Sequence, residues 1–84
     1  MLHLVKKSEY LEGYKLKLTF NNKEQKLVDL KKFSKGYGPE TVFYPFRDLE
    51  FFKSVKLDKQ LGTLVWPNGA DLCPDSLYMM GKDI

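Results

Sequence analysis

TLVWPNGADLCPDSLY, residues Thr63–Tyr78, changes character twice over a short span and holds the only Trp, the only Cys and two of the four prolines. Thr63–Trp66 is a β-rich run, Pro67-Asn68-Gly69 has turn chemistry, and Cys73-Pro74-Asp75 opens a short helix with proline at its first position. A strand therefore passes abruptly into a helix. Such a corner either aims side chains at a ligand or closes a small core. The helix is expected from about Pro74 to Met80, with Leu77 and Met80 on one face and Gly81 as its stop. Lys82-Asp83-Ile84 then reads as a frayed tail.

Upstream of the corner, Val55–Asp58 and Thr63–Trp66 flank Lys59-Gln60-Leu61-Gly62, a hairpin loop in which Gly62 supplies a positive φ. Asp48 is positioned to cap a short helix over Leu49–Lys53, whose Leu49 and Phe52 are three apart and share a face. Val42–Phe46 is apolar and aromatic, but Pro45 within it argues against a central strand. Lys35-Gly36-Tyr37-Gly38-Pro39 breaks regular structure twice, which makes Tyr37–Glu40 the expected mobile loop.

Nearer the start, Tyr14–Phe20 alternates cleanly, with Tyr14, Leu16, Leu18 and Phe20 facing a core and Lys15, Lys17 and Thr19 facing water. Asn21-Asn22-Lys23-Glu24 turns the chain, and Gln25–Leu30 returns antiparallel. Leu2–Tyr10 reads as a first strand, Ser8–Gly13 as a connection that takes over from it, and Lys31–Ser34 as a single helical turn. The sum is one α+β domain over residues 1–84. It has a small, mainly antiparallel sheet of about five strands, in two hairpins plus an N-terminal strand, with two short helices on one face.

Composition narrows the function classes. Hydrophobic residues make up 43% of the chain, with six Phe, five Tyr and one Trp, enough for a small core. A single Cys leaves no internal disulfide and no multi-Cys zinc site. The opening MLHLVKK is too short an apolar run for a secretory leader, and no stretch approaches a membrane span, so a cytoplasmic location is expected. Charge is uneven: residues 1–36 carry nine Lys against Glu9, Glu12, Glu24 and Asp29, whereas residues 37–84 carry four Lys and Arg47 against seven acids. Attraction to a polyanion is one reading of the basic half, and a solubilising sheet face is the other.

The residues that carry chemistry are few. Cys73 at a helix N-terminus is the best nucleophile candidate, but the only His is His3, at the far end of the chain, and a lone Cys ordinarily fills core space. Asp71 and Asp75 flank it as a carboxylate pair, or serve as turn and helix caps. Trp66 and Asn68 form either a recognition surface or a core plug with its turn. Arg47 either clamps Asp71 or Asp29 or sits at an interface. Lys15, Lys17, Lys26 and their neighbours offer weak electrostatic contact to nucleic acid, but Tyr14 and Phe20 face the other way, so the stacking element is missing.

The chain resembles a small, mostly bacterial family, domain of unknown function 2442. The resemblance is carried by Val28-Asp29-Leu30, by Phe46-Arg47-Asp48 followed by Phe51-Phe52, by Leu57-Asp58, Leu61-Gly62-Thr63 and Val65–Asp71, and by Leu72, Pro74 and Tyr78. A departure is Lys23, where the family usually has Gly. If the turn keeps its shape, Lys23 takes a left-handed conformation at a cost of about 1 kcal/mol. No agreed activity comes with the resemblance. Related domains are joined to helix-turn-helix domains or expected beside a small partner protein, which implies partner binding or regulation. A label tied to molybdopterin-guanine dinucleotide synthesis on some relatives would need a phosphate loop, and no glycine-rich one is present.

The expectation is a non-enzymatic protein-interaction or regulatory module, antitoxin-like, contacting another small protein through Trp66, Asn68, Asp71 and Arg47. The alternative is an enzyme or nucleotide-binding subunit using Asp71, Cys73 and Asp75. Neither a cofactor nor a metal is expected. Self-association through an open sheet edge is expected to be accessible.

Overall fold

The computed structural model describes residues 3–84. Six strands fall into two sheets. Strands β1 (Val5–Glu12), β2 (Lys15–Phe20) and β3 (Gln25–Asp29) form an antiparallel meander, and β6 (Lys82–Asp83) adds beside β3, giving the order β1-β2-β3-β6. Strands β4 (Lys56–Asp58) and β5 (Thr63–Val65) make a separate hairpin. Two short helices, α1 (Leu49–Lys53) and α2 (Pro74–Met80), and 3-10 turns at Lys31–Ser34 and Tyr44–Arg47 complete the domain. The α+β class, the second hairpin and both helices agree with the sequence reading.

The first strand differs from expectation. Leu2 lies outside the described residues, and the strand runs on through Tyr10 and Leu11 to a tight turn at Gly13, so the expected connection at Ser8–Gly13 is largely strand. Register shifts between Val5 and Lys7 and between Tyr10 and Glu12 each reset the inward-outward pattern, so this strand does not alternate cleanly. The tail differs too. Lys82 pairs with Leu27 and Asp83 with Lys26, so the last residues cover part of the β3 edge and are not frayed. Gly81 ends α2 with an extended backbone, φ −75°, not a left-handed one. Its small size matters for another reason: a Cβ there would stand 2.6 Å from Lys26 Cβ.

The core lies on one face of the meander. Leu16, Leu18, Phe20 and Val28 from the sheet meet Phe46, Phe52, Leu64, Trp66, Leu72 and Leu77, all buried. Tyr14 hydroxyl donates to Phe46 carbonyl at 2.8 Å, fixing the 3-10 turn over β2. Asp48 caps α1 by accepting from Glu50 N–H at 3.0 Å. Phe52 turns inward, whereas Leu49 is exposed, so the helix is too short for both to reach the core. The opposite sheet face presents Lys15, Lys17 and Thr19, half-buried, and Gln25, exposed.

In the turn between β2 and β3, Lys23 sits at φ 71°, the left-handed conformation anticipated for it. Glycine adopts that region without a Cβ penalty. Lys23→Gly is therefore expected to stabilise the domain by about 1 kcal/mol, a rise in Tm of about 4–8 °C. Calorimetry showing no rise would mean that the turn does not hold this conformation in solution.

Candidate functional site

The corner is built as its sequence suggests. Strand β5 ends at Val65, Trp66 N–H donates to Ala70 carbonyl at 2.9 Å, and the chain returns so that Asp71 bridges back to Val65. Thr63 hydroxyl, buried, donates to Leu72 carbonyl and locks the return limb. Asn68 organises the turn: its Oδ1 accepts from Ala70 N–H at 3.0 Å, and its Nδ2 donates to Val42 carbonyl at 2.9 Å. The second bond staples the corner to the segment leading into the Tyr44–Arg47 turn.

Trp66 faces inward and is 3% exposed. Its ring centroid lies 4.5 Å from that of Phe46 and 5.9 Å from that of Phe52. Its indole N–H donates to Phe52 carbonyl at 3.0 Å, a further donor to an oxygen at the end of α1 that also accepts from Val55 N–H. Trp66 thus shapes the corner from beneath and does not present itself to solvent. Arg47 is exposed and makes neither of the clamps considered for it. Its guanidinium lies over the Tyr44 ring, 4.1 Å from the centroid, and it forms no ion pair among the described residues. Asp71 is exposed, and its side chain makes no hydrogen bond among the described residues; the turn N–H it was expected to satisfy goes to Asn68.

The loop over Tyr37–Glu40 is more anchored than its composition implies. Tyr37 and Phe43 pack on each other with centroids 5.2 Å apart, and both pack on Phe33. Thr41 hydroxyl donates back to Gly38 carbonyl. Segment 37–47 is therefore an aromatic-backed arch with Asn68 holding its middle.

Cys73 corrects the sequence reading: it is exposed, because Leu72 before it and Leu77 after it take the inward positions. No group of three or more His, Cys, Asp and Glu among the described residues, Asp71, Cys73 and Asp75 included, is placed to hold a metal ion. Asp75 has a partner 72 positions away. His3 N–H and His3 Nδ1 both reach Asp75 Oδ1 at 2.8 Å. The His3 ring stacks on Tyr78 with centroids 3.7 Å apart. Tyr78 hydroxyl in turn donates to Glu24, and Lys26 reaches Asp83 at 2.7 Å and Glu24 at 3.7 Å. Lys26 corrects the reading of the basic surface, since it sits on the core side of β3, 9% exposed and fully engaged.

This network has a pH signature. Hydrogen bonds from His3 hold the Asp75 carboxyl below its ordinary 3.8, so its contribution to stability is present above that value and is lost as pH falls through the lower folded value. The bond to Glu24 raises the Tyr78 hydroxyl, and the bond to Asp83 raises Lys26, so their contributions are present below about pH 10 and are lost above it. Asp75→Asn is expected to flatten the acid limb of the stability profile and to leave the alkaline limb unchanged. An unaltered acid limb in urea titrations across pH would show that this pair does not form.

The fold is that of a small α+β domain in which an exposed arginine, a stapled turn and an aromatic arch share one corner. The chain matches the family described as protein of unknown function (DUF2442) over residues 5–83, and it belongs to that family. Comparison with curated proteins and with solved structures returned no match. No helix among the described residues is long and apolar enough to cross a membrane.

Proposed function

We propose that this domain is a non-enzymatic protein-interaction module, a regulatory or antitoxin-like partner of another small protein, acting in the cytoplasm. The observation that carries the reading is the state of Arg47. The single arginine of the chain is exposed, held over the Tyr44 ring with Nη1 donating to its hydroxyl, and without a carboxylate partner among the described residues. Arg and Tyr are enriched at binding hot spots, and an arginine already ordered by an aromatic ring loses less freedom when a carboxylate docks. Val42, 48% exposed, belongs to the same segment, and the Asn68 turn is tied to its carbonyl by one hydrogen bond. A different protein is favoured over a second copy. The β1 edge carries two register shifts and Lys6 and Lys7, features that oppose strand-to-strand pairing.

Affinity capture of the tagged, natively expressed protein, compared with Arg47→Ala and with Lys23→Gly as a control on a remote turn, tests the reading. Removing Arg47 leaves the core intact and is expected to weaken a captured partner by about 30-fold. A partner retained equally by the folded Arg47→Ala protein would remove Arg47 and its corner from the interface.

A further inference from the structure

A groove of about 650 Å³ lies where the lysine-bearing face of the meander meets the β4–β5 hairpin. Lys6 and Lys7 of β1, Lys17 of β2 and Lys59 of the hairpin loop line it, with Leu57 in its wall and Glu9 as its single acid. Of these charges, only Lys17 and Glu9 are paired, at 3.9 Å; Lys6, Lys7 and Lys59 are exposed and form no ion pair among the described residues. The chain has fourteen Lys and Arg against eleven Asp and Glu, and four cations and one anion stand in this groove, which leaves ten of each elsewhere. The whole positive excess of the protein is thus gathered in one concavity.

We infer that this groove binds an extended acidic segment of a partner protein. Charge complementarity sets the sign of the occupant. Its class follows from what lines the groove: lysines, neutral hydroxyl and amide groups and one leucine, with neither an arginine nor an aromatic ring. A single-stranded nucleic acid relies on stacking platforms for its bases, and none is offered. An acidic segment with interspersed apolar residues is served by the lysines and by Leu57 together. The groove uses none of the residues of the Arg47 corner, and the inference takes from the interaction-module reading only that the partner is a protein.

Direct binding to the intact domain tests it, by fluorescence anisotropy with three labelled probes: a Glu/Leu peptide, an oligothymidylate of equal charge and a Lys/Leu peptide. The Glu/Leu peptide is expected to bind best and to weaken steeply between about 0.02 M and about 0.2 M salt. The triple variant Lys6→Gln, Lys7→Gln, Lys59→Gln is expected to lose about tenfold in affinity. Lys31→Gln, Lys32→Gln, Lys35→Gln, which removes the same charge elsewhere, should lose far less. Absence of Glu/Leu binding at low salt, tighter binding of the oligothymidylate, or equal losses in the two triple variants would each overturn the assignment. Because no captured protein is needed, a negative result here is distinct from failure of the Arg47 test.

Discussion

Trp66→Ala is expected to destabilise the domain by about 3–5 kcal/mol, the cost typical of emptying a large aromatic site. The ring touches Phe46 and Phe52, so its removal opens a void between the 3-10 turn, α1 and the corner, and frees a carbonyl at the end of α1 from its indole donor. A domain of 84 residues has a total stability of roughly 4–13 kcal/mol, so the loss removes from about a quarter to all of it. Trp66→Phe separates the two contributions, since it restores much of the volume and none of the hydrogen bond, and it should recover about half of the loss. Chemical denaturation monitored by far-UV circular dichroism gives both values. A cost below about 1 kcal/mol for Trp66→Ala would mean that the indole is not a core residue.

Gly62→Ala is expected to cost about 2–3 kcal/mol, a fall in Tm on the order of 10 °C. Two separate effects act at this position. The backbone sits at φ 68°, where an added Cβ is disfavoured, and that Cβ would stand 2.8 Å from Leu4 Cδ2 and 3.0 Å from Leu4 Cβ. The geometry is imposed from both sides of the loop. Asp58 accepts from Gln60 N–H and Leu61 N–H through its side chain and from Gly62 N–H through its carbonyl, while Gly62 carbonyl accepts from Val5 N–H at 2.7 Å. That last bond joins the β4–β5 hairpin to β1, so strain at Gly62 reaches the contact between the two sheets. Leu4→Ala in the Gly62→Ala background removes the closest contact, with Leu4 Cδ2, and leaves both the contact with the Leu4 Cβ and the backbone penalty. Partial recovery in the double variant is the expected result; full recovery would show that backbone conformation contributes nothing.

Much of this architecture is legible in the sequence because local rules and the tertiary fold agree. Tyr14–Phe20 alternates and is a half-buried strand; Asp48 and Cys73-Pro74 mark helix starts that occur where they stand. Lys23 in a glycine turn position has the expected positive φ. What was not legible depends on distant residues. Lys26 falls on the core face by the parity of β3, yet the closest carboxylate that makes a buried lysine tolerable, Asp83, arrives from the other end of the chain. Likewise the His3–Asp75 pair joins residues 72 positions apart, and neither local sequence signals the other. Cys73 misled because residue type favours burial, whereas its place at the helix start turns it outward. The groove was half visible: the lysine-rich first half announced a basic surface, but Lys59, from the second half, completes it.

The central claim is that a preformed corner, assembled from segment 42–47 and the Asn68 turn, is a protein-binding surface. Amide chemical-shift mapping of the isotope-labelled domain, titrated with a protein captured by wild type and lost by Arg47→Ala, tests it most directly. The account predicts perturbations concentrated at Val42, Tyr44, Arg47, Asn68, Gly69 and Asp71, with Trp66 responding through its backbone while its indole N–H stays protected from solvent exchange. Perturbations that spare these residues and gather on another face would contradict it.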